Sequence, residues 1–303
     1  MNKLMPFYSY QDVLRLMKTI QESPCEVSEE LRGWNWKSPP LLPTSSLKIN
    51  ASDLGFGCPT GRIAYLRYWV KHRESSNEAL RFGSFVHYAI SAATYKAKAI
   101  LYASIPKSGA EFYSRMMSEL PRMMTSRISE DYAQVLRSIW ERAALTYSAS
   151  LDYVIEQSRY LAPDGIVSRV VPWICEFPVD GRPIGLNRNI RIDAIVPPSL
   201  LIEFKTRRPS RDIEVAMAGY ALAFECQYMV PVNHVVILYI DFSKDKRSFK
   251  VYENILKVSD SLRLEFVEKR DLYFMRAEDG TDPGLPSHCD PSCPYLRVCK
   301  PDG

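Results

Sequence analysis

Three short runs place a histidine, two carboxylates and a lysine in one order along the chain: Gly83-Ser84-Phe85-Val86-His87, Arg191-Ile192-Asp193 and Glu203-Phe204-Lys205. Clustered carboxylates can hold a hard divalent cation, and a nearby ammonium can offset charge at a reacting phosphate. Metal-assisted hydrolysis is the chemistry those residue types would serve.

The strands that must position them can be read from the pattern. Segments 187–196 and 200–207 both read as strands, and Val196-Pro197-Pro198-Ser199 between them cannot continue a central strand, because proline lacks the amide hydrogen of the ladder. A turn centred near Pro198 makes a hairpin and sets Asp193 opposite, or nearly opposite, Glu203. Lys205 leaves its strand on the face used by Glu203. Ile190, Ile192, Ala194 and Val196 on one strand, with Leu200, Ile202 and Phe204 on the other, are expected on the core side. Facing carboxylates repel by roughly 0.2–1 kcal/mol, so a divalent cation is expected between them.

Each residue type also has a plain structural reading. A lone Glu-x-Lys is usually a solvated salt bridge, and a lone histidine on an apolar helix, as His87 is, is usually a satisfied core residue. The company changes the balance. An aspartate precedes the pair, Gly83 on the face of His87 permits close backbone approach, and Arg207, Arg208 and Arg211 follow the strand as candidate phosphate contacts. Glu176 is an outside candidate for a supporting carboxylate, although a buried structural glutamate is the more ordinary reading.

A second constellation is cysteine. Cys289, Cys293 and Cys299 crowd one short tail, and Cys58-Pro59 lies near the other end of the chain. Four thiolates suit a tetrahedral zinc ion or an iron–sulfur cluster. The Cys-Pro pairs and unequal gaps favour iron–sulfur over a zinc ribbon's matched knuckles, and an odd total of seven cysteines argues against disulfides. Cys25, Cys175 and Cys226 sit among apolar neighbours as packing residues.

Taken together, these motifs resemble the PD-(D/E)xK nuclease superfamily, and within it the RecB-like, iron–sulfur-bearing Cas-four family, with the archaeal Csa-one branch most similar. The resemblance spans about residues 50 to 300. It implies a restriction-endonuclease-like α/β core, a mixed sheet flanked by helices, joined to a helical lobe and a four-cysteine clasp. It implies Asp193, Glu203 and Lys205 as catalytic residues, and magnesium or manganese held by Asp193, Glu203, the Phe204 carbonyl and His87. A four-iron cluster, favoured over a two-iron one, would sit on Cys58, Cys289, Cys293 and Cys299, with zinc as the runner-up. Tyr220 would contact substrate. One departure stands out: the family's Gln-x-x-x-Tyr has Ala216 in place of the glutamine, which puts rate and strand preference in question.

Composition is compatible with this. The 303 residues are 46% hydrophobic, no apolar run reaches the length of a membrane span, and the N-terminus lacks a secretory signal's pattern, so a cytoplasmic location is expected. With 39 basic and 35 acidic residues the net charge of +4 is mild, so contacts to DNA depend on local clusters. One candidate interleaves Arg62, Arg67, Lys71, His72 and Arg73 with Tyr65, Tyr68 and Trp69, an arrangement that grips single strands or simply forms an amphipathic surface.

The organisation expected is an N-terminal arm over 1–50 with a helix near 10–21, a helical lobe over 51–165, a nuclease core over 166–280 and a cysteine tail over 281–303, all in one compact unit. Helices are expected over 60–73, 78–105, 108–160, 211–227 and about 256–276, with strand character from about 168 and again over 233–240. A Cys58-to-tail cluster would close the core into a loop at little entropic cost.

By resemblance the chain would trim spacer precursors for a CRISPR array beside the Cas-one and Cas-two integrase, as a monomer or homo-oligomer. Two other readings stand beside it: a weak or inactive nuclease acting as a DNA-end adaptor, and a nuclease module of a repair complex. In the last, any motor would be another chain, because no Gly-x-x-x-x-Gly-Lys-Ser/Thr loop occurs here.

Overall fold

The computed structural model describes residues 2–3, 6–73, 77–124, 128–157, 160–287, 289–290 and 293–300. His288, Pro291 and Ser292 of the cysteine tail lie outside the described residues. The strands are β1 (Asn2–Lys3), β2 (Ile174–Val179), β3 (Ile190–Val196), β4 (Leu200–Lys205), β5 (His234–Phe242) and β6 (Phe249–Lys257). They form one mixed sheet in the order β1-β6-β5-β4-β3-β2, with β4 parallel to β5 and the other neighbours antiparallel. The helices are α1 (Tyr10–Gln21), α2 (Ala51–Gly55), α3 (Arg62–Ala64), α4 (Glu78–Ala103), α5 (Gly109–Met123), α6 (Glu130–Gln157), α7 (Pro163–Val170), α8 (Arg211–Tyr228), α9 (Asp260–Glu278) and α10 (Leu296–Cys299). No helix among the described residues is long and apolar enough to cross a membrane.

Helices cover both faces of the sheet. On one side α1, α4, α5, α6 and α7 bury Ala194, Val196, Leu200, Ile202, Phe204 and Val236; on the other, α8, α9 and the later part of the arm, with Leu31, Leu41 and Ile49, bury Ile190, Ile192, Leu201, Val235 and Ile237. The expected one-sided core for the β3–β4 hairpin is therefore corrected, and Ile190 and Ile192 do not share a face with Ala194 and Val196. The cause is local. Glu176 on β2 adopts a left-handed backbone, φ +54°. The ladder runs Cys175↔Ala194, skips one pair, and resumes at Phe177↔Ile192. Both strands switch faces across that gap, and Asp193 sits in it.

The hairpin register itself matches expectation. Val196↔Leu200, Ile195↔Leu201 and Ala194↔Ile202 are symmetric about Pro198, so one further step sets Asp193 opposite Glu203.

Other boundaries differ from the sequence reading. The 60–73 segment is a short turn of α3 followed by a π-helical turn over Tyr65–Trp69, and 108–160 is two helices, α5 and α6. The strand character expected from about 168 begins later, at Ile174, because Pro163–Val170 form α7, whose Pro163 suits a first helical turn. The helix expected from about 256 begins at Asp260, because β6 continues to Lys257.

Arg32 and Gly33 of the arm pack against α8. A side chain on Gly33 would meet the Leu222 carbonyl oxygen at 2.2 Å, so only glycine permits this approach of the arm to α8. The contact is held by the buried Glu225 carboxylate, which accepts from Gly33 N, Val232 N, Arg32 and both terminal nitrogens of Arg263.

Candidate active site

Asp193 and Glu203 are buried, at 9% and 4% exposure. Asp193 is held from both sides: its Oδ1 lies 2.9 Å from His87 Nδ1 on α4, and its Oδ2 accepts from Phe204 N at 2.7 Å. The face switch at Glu176 lets this strand residue reach both the lobe helix and the β4 backbone. Glu203 Oε1 accepts from Lys205 Nζ, two residues along the same strand face, while Glu203 Oε2 is buried with no hydrogen-bond partner.

The electrostatics bind these groups into one unit. Burial raises the Glu203 carboxyl to about 7, Asp193 adds to the rise, and Lys205 offsets part of it. Burial also disfavours charge on Asp193 and His87, but their pairing prevails: Asp193 is held below the ordinary aspartate value and His87 above the ordinary histidine value. Pairing thus favours the charged forms of Asp193 and His87, while burial pushes the neighbouring Glu203 toward its neutral form.

A cleft of about 340 Å³ opens at this end of β4, lined by Gly83, His87, Lys205, Thr206, Ala216 and Tyr220 among others. Tyr220 on α8 also borders a small void beside Glu203. Its hydroxyl is pushed well above the ordinary value by burial and by Glu203 and Asp193. Gly83 meets a side chain rather than the expected backbone: a Cβ there would stand 3.3 Å from Thr206 Oγ1. His87 and Lys205 thus line the cleft with Phe204 and Tyr220, while Asp193 and Glu203 lie buried beside them, Asp193 bonded to His87 and Glu203 to Lys205.

Two of the three candidate phosphate arginines are engaged within the protein. Arg207 donates to Asp290 of the cysteine tail at 3.0 Å and to the Gly55 carbonyl at 2.7 Å, with its guanidinium over the Phe56 ring. Arg211 pairs with Glu265 and Glu214; Arg208 is exposed. The basic and aromatic segment after Cys58 is likewise committed in part: Arg62 pairs with Asp282, Arg67 with Asp53, and Tyr68 donates to Asp53. Lys71, His72 and Arg73 are exposed, as is Trp69 at 52%. Glu176 faces Arg191 at 3.9 Å and takes no part in the cluster.

Cys58, Cys289, Cys293 and Cys299 line one small cavity beneath Phe56 and Ile63. The Cys293 thiol is pushed up to about 12 by burial, and Arg62 Nη1 lies 3.4 Å from Cys299 Sγ. Cys175 is fully buried and Cys226 donates to the Gly33 carbonyl, consistent with packing roles, while Cys25 is half-buried and lies against Pro24 and His234. Among the described residues, no three His, Cys, Asp or Glu side chains close on a point that would take a single ion.

Gly55, Phe56, Ser84 and Thr206 of the cleft wall, and the Arg207–Asp290 link, were not singled out from sequence. Thr206 could have been found by its place directly after Lys205. The Asp290 link joins residues 83 positions apart with no local signature.

Comparison with known proteins adds the family. The model of "CRISPR-associated exonuclease Csa1" matches residues 6–302. The chain is 34% identical over 298 residues to the CRISPR-associated exonuclease Csa1 of Saccharolobus solfataricus, covering 97% of this chain and 100% of that one. It is 27% identical over 293 residues to the protein of the same name from Thermoproteus tenax, covering 95% and 98%.

Proposed function

The chain belongs to the CRISPR-associated exonuclease Csa1 family and is a CRISPR-associated nuclease; from that premise we propose that it is a metal-dependent DNA exonuclease of the PD-(D/E)xK type, acting on single-stranded ends. The observation that carries the metal dependence is Glu203 Oε2, a buried carboxylate oxygen with no hydrogen-bond partner, on a side chain that borders a small void beside Tyr220, which also lines the cleft. Such an atom costs about 1–3 kcal/mol or more unless something positive meets it, and Asp193 across the hairpin supplies the second carboxylate. The residues fit a hard cation in their donor chemistry.

Asp193, Glu203, the Phe204 carbonyl and His87 would hold magnesium or manganese. When bound, such an ion supplies Lewis acidity toward the scissile phosphate and the attacking water. Lys205 neutralises negative charge that builds on the phosphate. His87 fixes the orientation of Asp193 through Nδ1, and Tyr220 borders the substrate from α8.

The four cysteines are read as the seat of a four-iron cluster. Four thiols around one small cavity match the ligand number of such a cluster, with zinc as the runner-up. In the cell the chain would size spacer precursors in the cytoplasm beside the Cas-one and Cas-two integrase. Ala216 supports a second reading, a DNA-end adaptor that binds without cutting.

The test is cleavage of end-labelled single-stranded DNA with manganese. Wild-type protein should shorten the strand from one end, and chelation or Asp193→Ala should stop it while thermal unfolding still reports a folded chain. Undiminished activity in purified Asp193→Ala would refute the site; binding without cleavage by wild type would select the adaptor. Iron content and visible absorbance, lost in Cys293→Ser, test the cluster.

A further inference from the structure

Arg62, Arg67, Arg207 and Arg211 are all satisfied by carboxylates of this chain. A cation so placed must give up its partner before it can neutralise a phosphate. The β5–β6 hairpin carries cations of the other kind. Lys244, Arg247 and Lys250 are exposed, and among the described residues none of them makes an ion pair. Asp245 between them is occupied by hydrogen bonds from the Ser243 hydroxyl at 2.6 Å and Arg247 N at 3.2 Å. It shapes the tip rather than pairing with the basic side chains.

The position of this tip follows from the sheet. Lys205 pairs with Tyr239 across the parallel β4–β5 ladder. β5 continues three residues further to Phe242 before turning, which carries the hairpin about 10 Å beyond the catalytic lysine. The tip is ordered by Ser243 N to Ser248 O at 2.9 Å and Lys246 N to Ser243 O at 3.0 Å.

Phe82 ties the hairpin to the cleft. It lines the cleft, Phe242 packs edge-on against it with centroids 5.4 Å apart, and Lys246 Nζ stands 4.5 Å from its centroid. From Phe82 an aromatic shelf continues along the lobe: Tyr132 stacks on it at 6.3 Å, Phe85 lies 4.7 Å from Tyr132, and Tyr88 lies 6.0 Å from Phe85. Tyr88, next to His87, is 49% exposed. Unpaired cations beside accessible aromatic faces are the two elements of sequence-independent single-strand binding.

We propose that the β5–β6 hairpin guides a single DNA strand into the cleft, Lys244 and Arg247 holding its phosphates while Tyr88 stacks a base. This rests on the reading of the cleft as DNA-cleaving.

The test uses the full-length, iron-loaded chain. Binding of fluorescein-labelled oligothymidylate is measured in EDTA across a salt series, for wild type, Lys244→Ala/Arg247→Ala and Tyr88→Ala. Loss of two phosphate contacts should lower the slope of log K against log salt by about 1.4, and affinity in low salt by about tenfold. Tyr88→Ala should lose about tenfold with the slope unchanged. With manganese, the double variant should raise KM for oligothymidylate about tenfold, yet hydrolyse the p-nitrophenyl ester of thymidine 5′-phosphate, too short to reach the hairpin, at the wild-type rate.

A double variant with wild-type affinity and slope overturns the proposal. So does a loss seen on blunt duplex and not on single strands. If wild type hydrolyses neither substrate and binds no DNA, both the cleavage reading and the hairpin fall. If wild type cleaves and the double variant matches it on both substrates, the hairpin alone falls.

Discussion

Glu203 concentrates the tension of the site. In an unfolded chain its carboxyl titrates near 4.5, whereas in the fold burial and Asp193 raise it to about 7. The folded state therefore binds this proton more tightly, and the resulting stability is fully present below about 4.5 and lost as pH rises through about 7. His87, also raised, works in the same sense above its ordinary 6.5, while Asp193, lowered, contributes stability that disappears only as pH falls below the ordinary 3.8. In metal-free protein, denaturant midpoints should fall between pH 5 and 8. Glu203→Gln should flatten much of that fall and be the more stable protein at pH 8, though unable to cleave. Millimolar manganese should raise the wild-type midpoint at pH 8 and leave that of Glu203→Gln nearly unchanged. A wild-type midpoint that rises with pH in EDTA would contradict the burial of an unpaired carboxylate oxygen here.

At the scale of elements, the site depends on a defect in the sheet. Glu176 holds a left-handed backbone, which costs a non-glycine residue about 1–2 kcal/mol, and its exposed partner Arg191 returns at most about 1 kcal/mol. Glu176→Gly should be stability-neutral or slightly stabilising. Glu176→Val, β-branched and intolerant of positive φ, should destabilise by about 2 kcal/mol and depress cleavage, because the face switch that delivers Asp193 to His87 is strained. Urea titrations of the two variants beside a manganese-dependent cleavage assay check both effects. This defect was illegible in sequence: Ile190-Arg191-Ile192-Asp193-Ala194 alternates regularly, and the switch is a property of one backbone angle on the neighbouring strand. The hairpin register was legible because two prolines fix the turn, and with it the facing of Asp193 and Glu203. The tight spot at Gly83 was legible, although what fills it is the Thr206 hydroxyl rather than a backbone. β6 was not, since Glu253-Asn254-Ile255-Leu256-Lys257 is half-exposed and has no clean period to set it apart from the helix that follows.

At the scale of the whole molecule, the two ends of the sequence meet next to the cleft. Cys58, from the segment after α2, shares a cavity with the three tail cysteines. From that tail Asp290 holds Arg207, two residues beyond Lys205, while Arg207 also holds Gly55 of the cleft wall. A disturbance at the cysteine cavity is thus one ion pair away from β4, which carries the proposed catalytic residues. Cys293→Ser should lose iron and visible absorbance, lower the unfolding midpoint and reduce cleavage. Arg207→Ala should separate these effects: iron and absorbance stay near wild type, because no cysteine is touched, while cleavage falls about tenfold as the Lys205–Thr206 end of β4 loses its tether. Arg207→Lys reaches one partner where the fork reaches two, so it should recover only part of the rate. Equal iron loss in Arg207→Ala and Cys293→Ser would instead make the arginine a support of the cysteine centre, and full activity in Arg207→Ala would mean that the centre and the cleft are mechanically independent.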